Sequence, residues 1–126
     1  MRINSAKELD VYKNAYSLAM EIYEISKSFP AEERYALTSQ IRRSSRSVVL
    51  NLREAWAKRR YEAHFINKLT DCDGENNETD SSLDFAFDCK YIDANSHADL
   101  ISKNRVVGKM LGSMLLNPKP FIQTEK

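Results

Sequence analysis

Between Ser5 and Phe29 the apolar residues Leu9, Tyr12, Tyr16, Ala19 and Tyr23 return at steps of three and four, the spacing that gathers side chains on one face of an α-helix. Pro30 interrupts the pattern. With Glu32 and Glu33 behind it, Pro30 suits the first position of a second helix, where no intrahelical N–H is needed and acids meet the positive end of the dipole. That helix is expected to run to about Lys58, with Leu37, Ile41, Ser45, Val48, Leu52 and Ala55 facing inward. A third stripe, Phe65, Leu69, Cys72, Asn76, Thr79, Leu83 and Ala86, requires the chain to turn back between Arg59 and Glu62, and its interior is unusually polar. In YIDANSHA, Asp93 or Asn95 can cap a fourth helix carrying Leu100, Val107, Met110, Leu111 and Met114, which Asn117-Pro118-Lys119-Pro120 stops.

Four amphipathic helices with short connections predict an all-α fold, an antiparallel up-down-up-down four-helix bundle spanning 1–117, followed by a flexible C-terminal tail over 118–126. A length of 126 residues suits one domain, and three Gly with three Pro are few for strands joined by tight turns. The N-terminal MRINSAKELDVYK lacks the apolar run of a secretory signal, and no window approaches ~18 consecutive apolar residues, so a cytoplasmic protein without a membrane partner is expected. Cys72 and Cys89 have no CxxC partner and only two His exist, so both thiols are expected free and part of the packing, with no metal site and no cofactor.

Charge changes the picture. The formal net charge is only +1, yet Gln40 to Arg60 holds seven Arg and Lys against one Glu. On a helical wheel Arg42, Arg46, Arg53 and Arg60 fall within a band about 40° wide, a row spaced for a phosphate backbone or for a row of carboxylates. The candidate nucleic-acid-binding residues are Arg42, Arg43, Arg46, Arg53, Lys58, Arg59 and Arg60. Trp56 near them suits either packing or stacking on a base. The counterweight is acidic: Asp71, Asp73, Glu75, Glu78, Asp80, Asp84, Asp88 and Asp93 against Lys90 alone. The arginines are therefore either open to nucleic acid or clasped by these acids, in the same chain or a neighbour. Between the apolar and basic sides of helix two, Gln40, Ser44, Ser47 and Asn51 form a stripe of small and amide side chains. These suit a close helix contact and are the candidate oligomer interface.

Catalytic signatures are lacking. Setting Gly74 of DCDGENNETD at the glycine of a calcium loop puts Leu69 at the first ligand position. Asp71, Glu75 and Glu78 share a helix face and are the best magnesium candidates, against the plainer alternative of a solvated acidic face. His64 and His97 have no evident catalytic partner, and no glycine-rich phosphate loop exists.

The run LTSQIRRSSRSVVLNLREAWAKRRYEAHFINKL, with the preceding FPAEERYAL and the later LDFAFDCKYI, strongly resembles the bacterial four-helix bundle proteins encoded in intervening sequences of 23S ribosomal RNA genes. The motif falls on Gln40, Ile41, Arg42, Arg43, Ser47, Val48, Asn51, Leu52 and Glu54; Leu50 and Arg53 depart from it, standing where small residues are usual. The resemblance implies a homopentamer, a ring of bundles around a channel, with no enzymatic activity assigned for most members. The accessory proteins of diversity-generating retroelements look like relatives and imply a basic surface engaging nucleic acid and a nucleic-acid-processing protein. The resulting expectation is a non-enzymatic, ring-shaped homo-oligomeric scaffold whose basic helix contacts RNA, DNA or a nucleic-acid-bound protein. Its rivals are a pure assembly module and a metal-dependent nucleotide hydrolase using Asp71, Glu75 and Glu78.

Overall fold

The computed structural model describes residues 3–122. Four α-helices carry the chain: α1 (Asp10–Ser26), α2 (Leu37–Ala57), α3 (Glu62–Asp88) and α4 (Ala94–Leu116). Short 3₁₀ turns stand at Ala6–Glu8, Ala31–Glu33 and Lys119–Phe121. Each helix packs on its neighbours in sequence, and α4 returns to α1. An all-α four-helix protein with these contacts is consistent with an up-down bundle.

The inward faces of α2 and α3 are those the periodicity predicts. Leu37, Ile41, Ser45, Val48, Leu52 and Ala55 are buried, and so is every member of the α3 stripe from Phe65 to Ala86. On α4, Leu100, Val107, Leu111 and Met114 are buried, while Met110 lies half-buried against them. On α1 the expected face is rotated. The core takes Val11, Ala15, Leu18, Ala19 and Ile22, whereas Tyr12 and Tyr23 sit at the edge and Tyr16 is 53% exposed. Aliphatic side chains can be buried whole, but a tyrosine hydroxyl needs a partner or water, which moves the rings to the rim.

Helix boundaries differ from expectation at two places. Leu9 is extended (φ −69°, ψ 135°), which separates the first 3₁₀ turn from α1. Pro30 opens only the 3₁₀ turn Ala31–Glu33. Ala36 then breaks the helical path (φ −121°, ψ −105°), so α2 begins at Leu37 rather than at Pro30. The acid still serves the helix end: Glu33 Oε1 accepts the Leu37 N–H at 3.2 Å, and Glu33 Oε2 accepts the Tyr91 hydroxyl at 2.8 Å. The Phe29 and Tyr91 rings, 5.6 Å apart, hold the same corner.

Other ends follow capping chemistry. Asp93 caps α4 by accepting the Ser96 N–H at 2.7 Å. Lys90 takes the left-handed conformation (φ 66°) after α3, with Tyr91 N–H on the Ala86 carbonyl and Lys90 N–H on that of Phe87, a Schellman ending. Part of the segment expected as a tail is structured: Phe121 packs against Phe65 with ring centroids 6.3 Å apart, and Lys119 meets Glu62 at 3.4 Å. Residues 123–126 of that segment lie outside the described residues.

The polar interior of α3 is satisfied by its neighbours. Ser44 and Thr79 share a hydrogen bond of 2.8 Å between α2 and α3. On the α4 side, Asn104 Nδ2 donates to Asn76 O (3.2 Å) and Oδ1 (3.0 Å), while Asn76 Nδ2 donates to Asn104 O (3.1 Å). Gly108 permits this approach, since a Cβ there would stand 3.2 Å from Asn76 Nδ2. The buried Cys72 thiol, pushed up to about 12 by burial, donates to the Val48 carbonyl at 3.5 Å. Cys89 is also free but exposed, so only one of the two thiols packs in the core as expected.

Candidate nucleic-acid interface

The basic face of α2 is built outward from that core. Burial of Ile41, Ser45, Val48 and Leu52 turns Arg42 and Arg46 toward α1 and Arg43 toward α3. Arg42 donates from Nε to Ser26 Oγ at 2.8 Å, and its guanidinium lies 4.8 Å from the Tyr23 ring centroid. Arg46 shares that ring at 5.5 Å. Both cations thus rest on an aromatic face, which positions a guanidinium without neutralising it. Arg43 is placed differently: it pairs with Glu75 through both terminal nitrogens, at 3.2 and 3.3 Å, and with Glu78 at 2.8 Å.

Arg53 and Lys58 are exposed, and neither forms an ion pair among the described residues. Arg59 folds back on Trp56, its guanidinium 3.9 Å from the ring centroid and its Nη1 on the Trp56 carbonyl at 2.9 Å. Trp56 itself is half-buried against the core. Arg60 stands beyond the last residue of α2, in the turn to α3, so the helical wheel does not place it in line with Arg42, Arg46 and Arg53.

Beside the α2 N-terminus the arginines border a concavity of about 540 Å³, lined among others by Arg34, Tyr35, Thr38, Arg42, Arg43 and Arg46. Sequence reasoning missed Arg34, Tyr35 and Thr38, which it absorbed without a role into the helix expected to begin at Pro30. It missed Tyr23 as a platform too, because only the packing of α1 on α2 brings Tyr23 under Arg42 and Arg46. Thr38 is 8% exposed, and its hydroxyl has no hydrogen-bond partner among the described residues.

The small-residue stripe is divided. Ser44 is buried in the chain's own α2–α3 seam and offers no surface to another subunit; Gln40 is exposed, and Ser47 and Asn51 are half-buried. The Asn51 amide is turned to the Ser47 carbonyl at 2.9 Å. Next to it an apolar patch opens between α1 and α2, where Tyr16, Met20 and Leu50 stay 53%, 47% and 62% exposed beside Arg46.

The remaining chemical candidates take structural places. DCDGENNETD lies wholly inside α3, so the loop that calcium coordination would need is not formed. Glu75 and Glu78 are held by Arg43, and Asp71 lies 3.7 Å from Lys68. Among the described residues no group of three or more His, Cys, Asp or Glu is arranged to hold a metal. His97 does have a partner, Asp84 Oδ1 at 2.8 Å, and stacks on Phe87 at 4.5 Å, while His64 tilts against Tyr61. No helix among the described residues is long and apolar enough to cross a membrane.

Residues 7–113 match the protein family described as 23S rRNA-intervening sequence protein. The fold is similar to the 1.70 Å crystal structure of a protein of unknown function from the S23 ribosomal protein family of Bacteroides thetaiotaomicron VPI-5482. The two share 28% identity and superpose with a TM-score of 0.77, over 85% of this chain and 96% of that one. No curated protein matches the chain.

Proposed function

The chain belongs to the 23S rRNA-intervening sequence protein family, and on that footing we propose that it is a non-catalytic, homo-oligomeric scaffold whose α2 arginines bind nucleic acid or a nucleic-acid-associated protein. One observation carries the reading: Arg42 and Arg46 rest on Tyr23 rather than on carboxylates, and so keep their charge for a partner. Arg53 continues the row on the same helix. A row of guanidinium groups holds phosphates without reading base edges, so the binding is broadly independent of sequence. Self-association, as the homopentamer implied by the family resemblance, is supported by the exposed Tyr16, Met20 and Leu50, which a second copy would cover. Repetition of the basic row around such a ring would multiply affinity along one strand.

The assembly-module reading draws on Arg43, which is already held by Glu75 and Glu78 in the same chain. Binding to a mixed-sequence duplex, measured from 50 to 200 mM salt alongside mass by light scattering, separates the two. Each phosphate contact contributes roughly −0.9 to the slope of log K against log salt. Arg46→Gln with Arg53→Gln is expected to flatten that slope and leave the mass unchanged. A variant that dissociates instead, or a wild type without salt-sensitive binding, favours the assembly module.

A further inference from the structure

We infer that the concavity before α2 is a site for an unpaired nucleotide, with Tyr35 as the stacking platform for its base and Arg34, Arg42 and Arg46 around its phosphates; the inference rests on the nucleic-acid reading of the same face. Tyr35 lies in the turn between the 3₁₀ segment Ala31–Glu33 and α2, and 85% of its surface is open to solvent. A single exposed tyrosine needs no explanation. Its neighbours give it meaning. The Arg34 guanidinium lies 5.2 Å from its ring centroid, and Arg42, Arg43 and Arg46 line the same concavity, whose lining residues include no acid. Glu33, just upstream, has both carboxylate oxygens engaged, by the Leu37 N–H and the Tyr91 hydroxyl. The space of about 540 Å³ falls within the range of roughly 300–1,000 Å³ usual for small-ligand sites.

The chemistry of this set selects between forms of nucleic acid. Phosphates are common to duplex and single strand, so the arginines alone do not discriminate. A base face is another matter: in a duplex it is covered by the neighbouring base pairs, and only an unpaired base can lay its face on a tyrosine ring. Such stacking tolerates any base, since each has a π face, and it combines readily with guanidinium groups. Single-stranded RNA or DNA is therefore the preferred ligand class. The basic row along α2 then continues from this anchor.

The test uses the full chain and labelled 12-nucleotide probes at one fixed salt concentration: unstructured oligouridylate and oligothymidylate, a duplex of equal phosphate count, and an abasic strand. Wild type is expected to bind both base-bearing single strands more tightly than the duplex or the abasic strand. Tyr35→Ala is expected to weaken single-strand binding about 5- to 150-fold, the range for loss of one base stack, and to leave duplex and abasic binding within about twofold. Tyr35→Phe keeps the preference. Equal wild-type affinity for single strand, abasic strand and duplex, or equal weakening of all three by Tyr35→Ala, overturns the inference and leaves the nucleic-acid reading standing. Absence of binding to any of the probes removes both. Thermal melting of each variant shows whether it is folded; if Tyr35→Ala is not, the wild-type comparison of base-bearing with abasic strand decides alone.

Discussion

Asn104→Ala is expected to destabilise the bundle by about 3–5 kcal/mol, and more than Asn76→Ala. The ranking comes from which atoms are left behind. Asn104 is 2% exposed and its Nδ2 supplies bonds to both Asn76 O and Asn76 Oδ1. Removing it loses two bonds worth ~1 kcal/mol each and strands the Asn76 Oδ1 acceptor in the core, a further ~1–3 kcal/mol. The mirror change also loses two bonds but is milder in what it leaves behind. With Asn76 cut to Ala, the Asn104 amide still reaches the backbone carbonyl of residue 76, which no substitution can delete. The double variant has no stranded amide, so its cost should fall short of the sum of the singles by about 0.5–3 kcal/mol. Equilibrium urea unfolding at several protein concentrations measures all three and separates fold stability from assembly. Additivity within ~0.5 kcal/mol, or a larger loss for Asn76→Ala, would refute the reciprocal bridge.

Three further outcomes are expected. Gly74→Ala should raise stability by about 0.5–1 kcal/mol, the gain of Ala over Gly inside a helix, because nothing lies within 4 Å of the added Cβ. Gly108→Ala should gain less or lose, since its Cβ must stand 3.2 Å from the Asn76 amide; thermal melting compares the pair. The Asp93 carboxyl is held below its ordinary range, first by the Ser96 backbone N–H and then by the Ser96 hydroxyl. Its contribution is therefore full above the unfolded value of about 3.9 and is lost as pH falls through the lower folded value. Asp93→Asn keeps a capping side chain and should remove that part of the acid-side loss, read from denaturation midpoints between pH 7 and 3; an unchanged acid limb would discount the cap.

Periodicity read α3 well, despite its polar interior, because Asn76 and Thr79 occupy the same stripe as Phe65, Leu69 and Leu83, and burial follows position on the helix more than polarity. It read α1 poorly because tyrosine counts as apolar in a pattern while its hydroxyl keeps the ring at the rim. Pro30 signalled an interruption but not where α2 begins. That is set by the Ala36 backbone and by Glu33, which is tied to Tyr91, 58 residues away. The basic row was visible at Arg42, Arg46 and Arg53, but its fate was not. Choosing between the acids of α3 and the Tyr23 ring requires knowing which side of α2 each neighbouring helix covers, and the wheel of one helix does not contain that. The Ser44 contact is made inside the chain, with Thr79, which the stripe could not tell for the same reason: small side chains mark a close helix contact without saying whether the other helix belongs to the same chain.

The stacking of Arg59 on Trp56 gives the molecule a spectroscopic property. Trp56 is the only tryptophan of the chain, and a guanidinium stands 3.9 Å from its ring centroid. Excitation shifts electron density across an indole, so the colour of its emission registers the electric field along the ring. Where α2 ends before the turn to α3 the chain thus carries its own unlabelled voltmeter, and a phosphate that drew Arg59 off the ring would register as a change of hue.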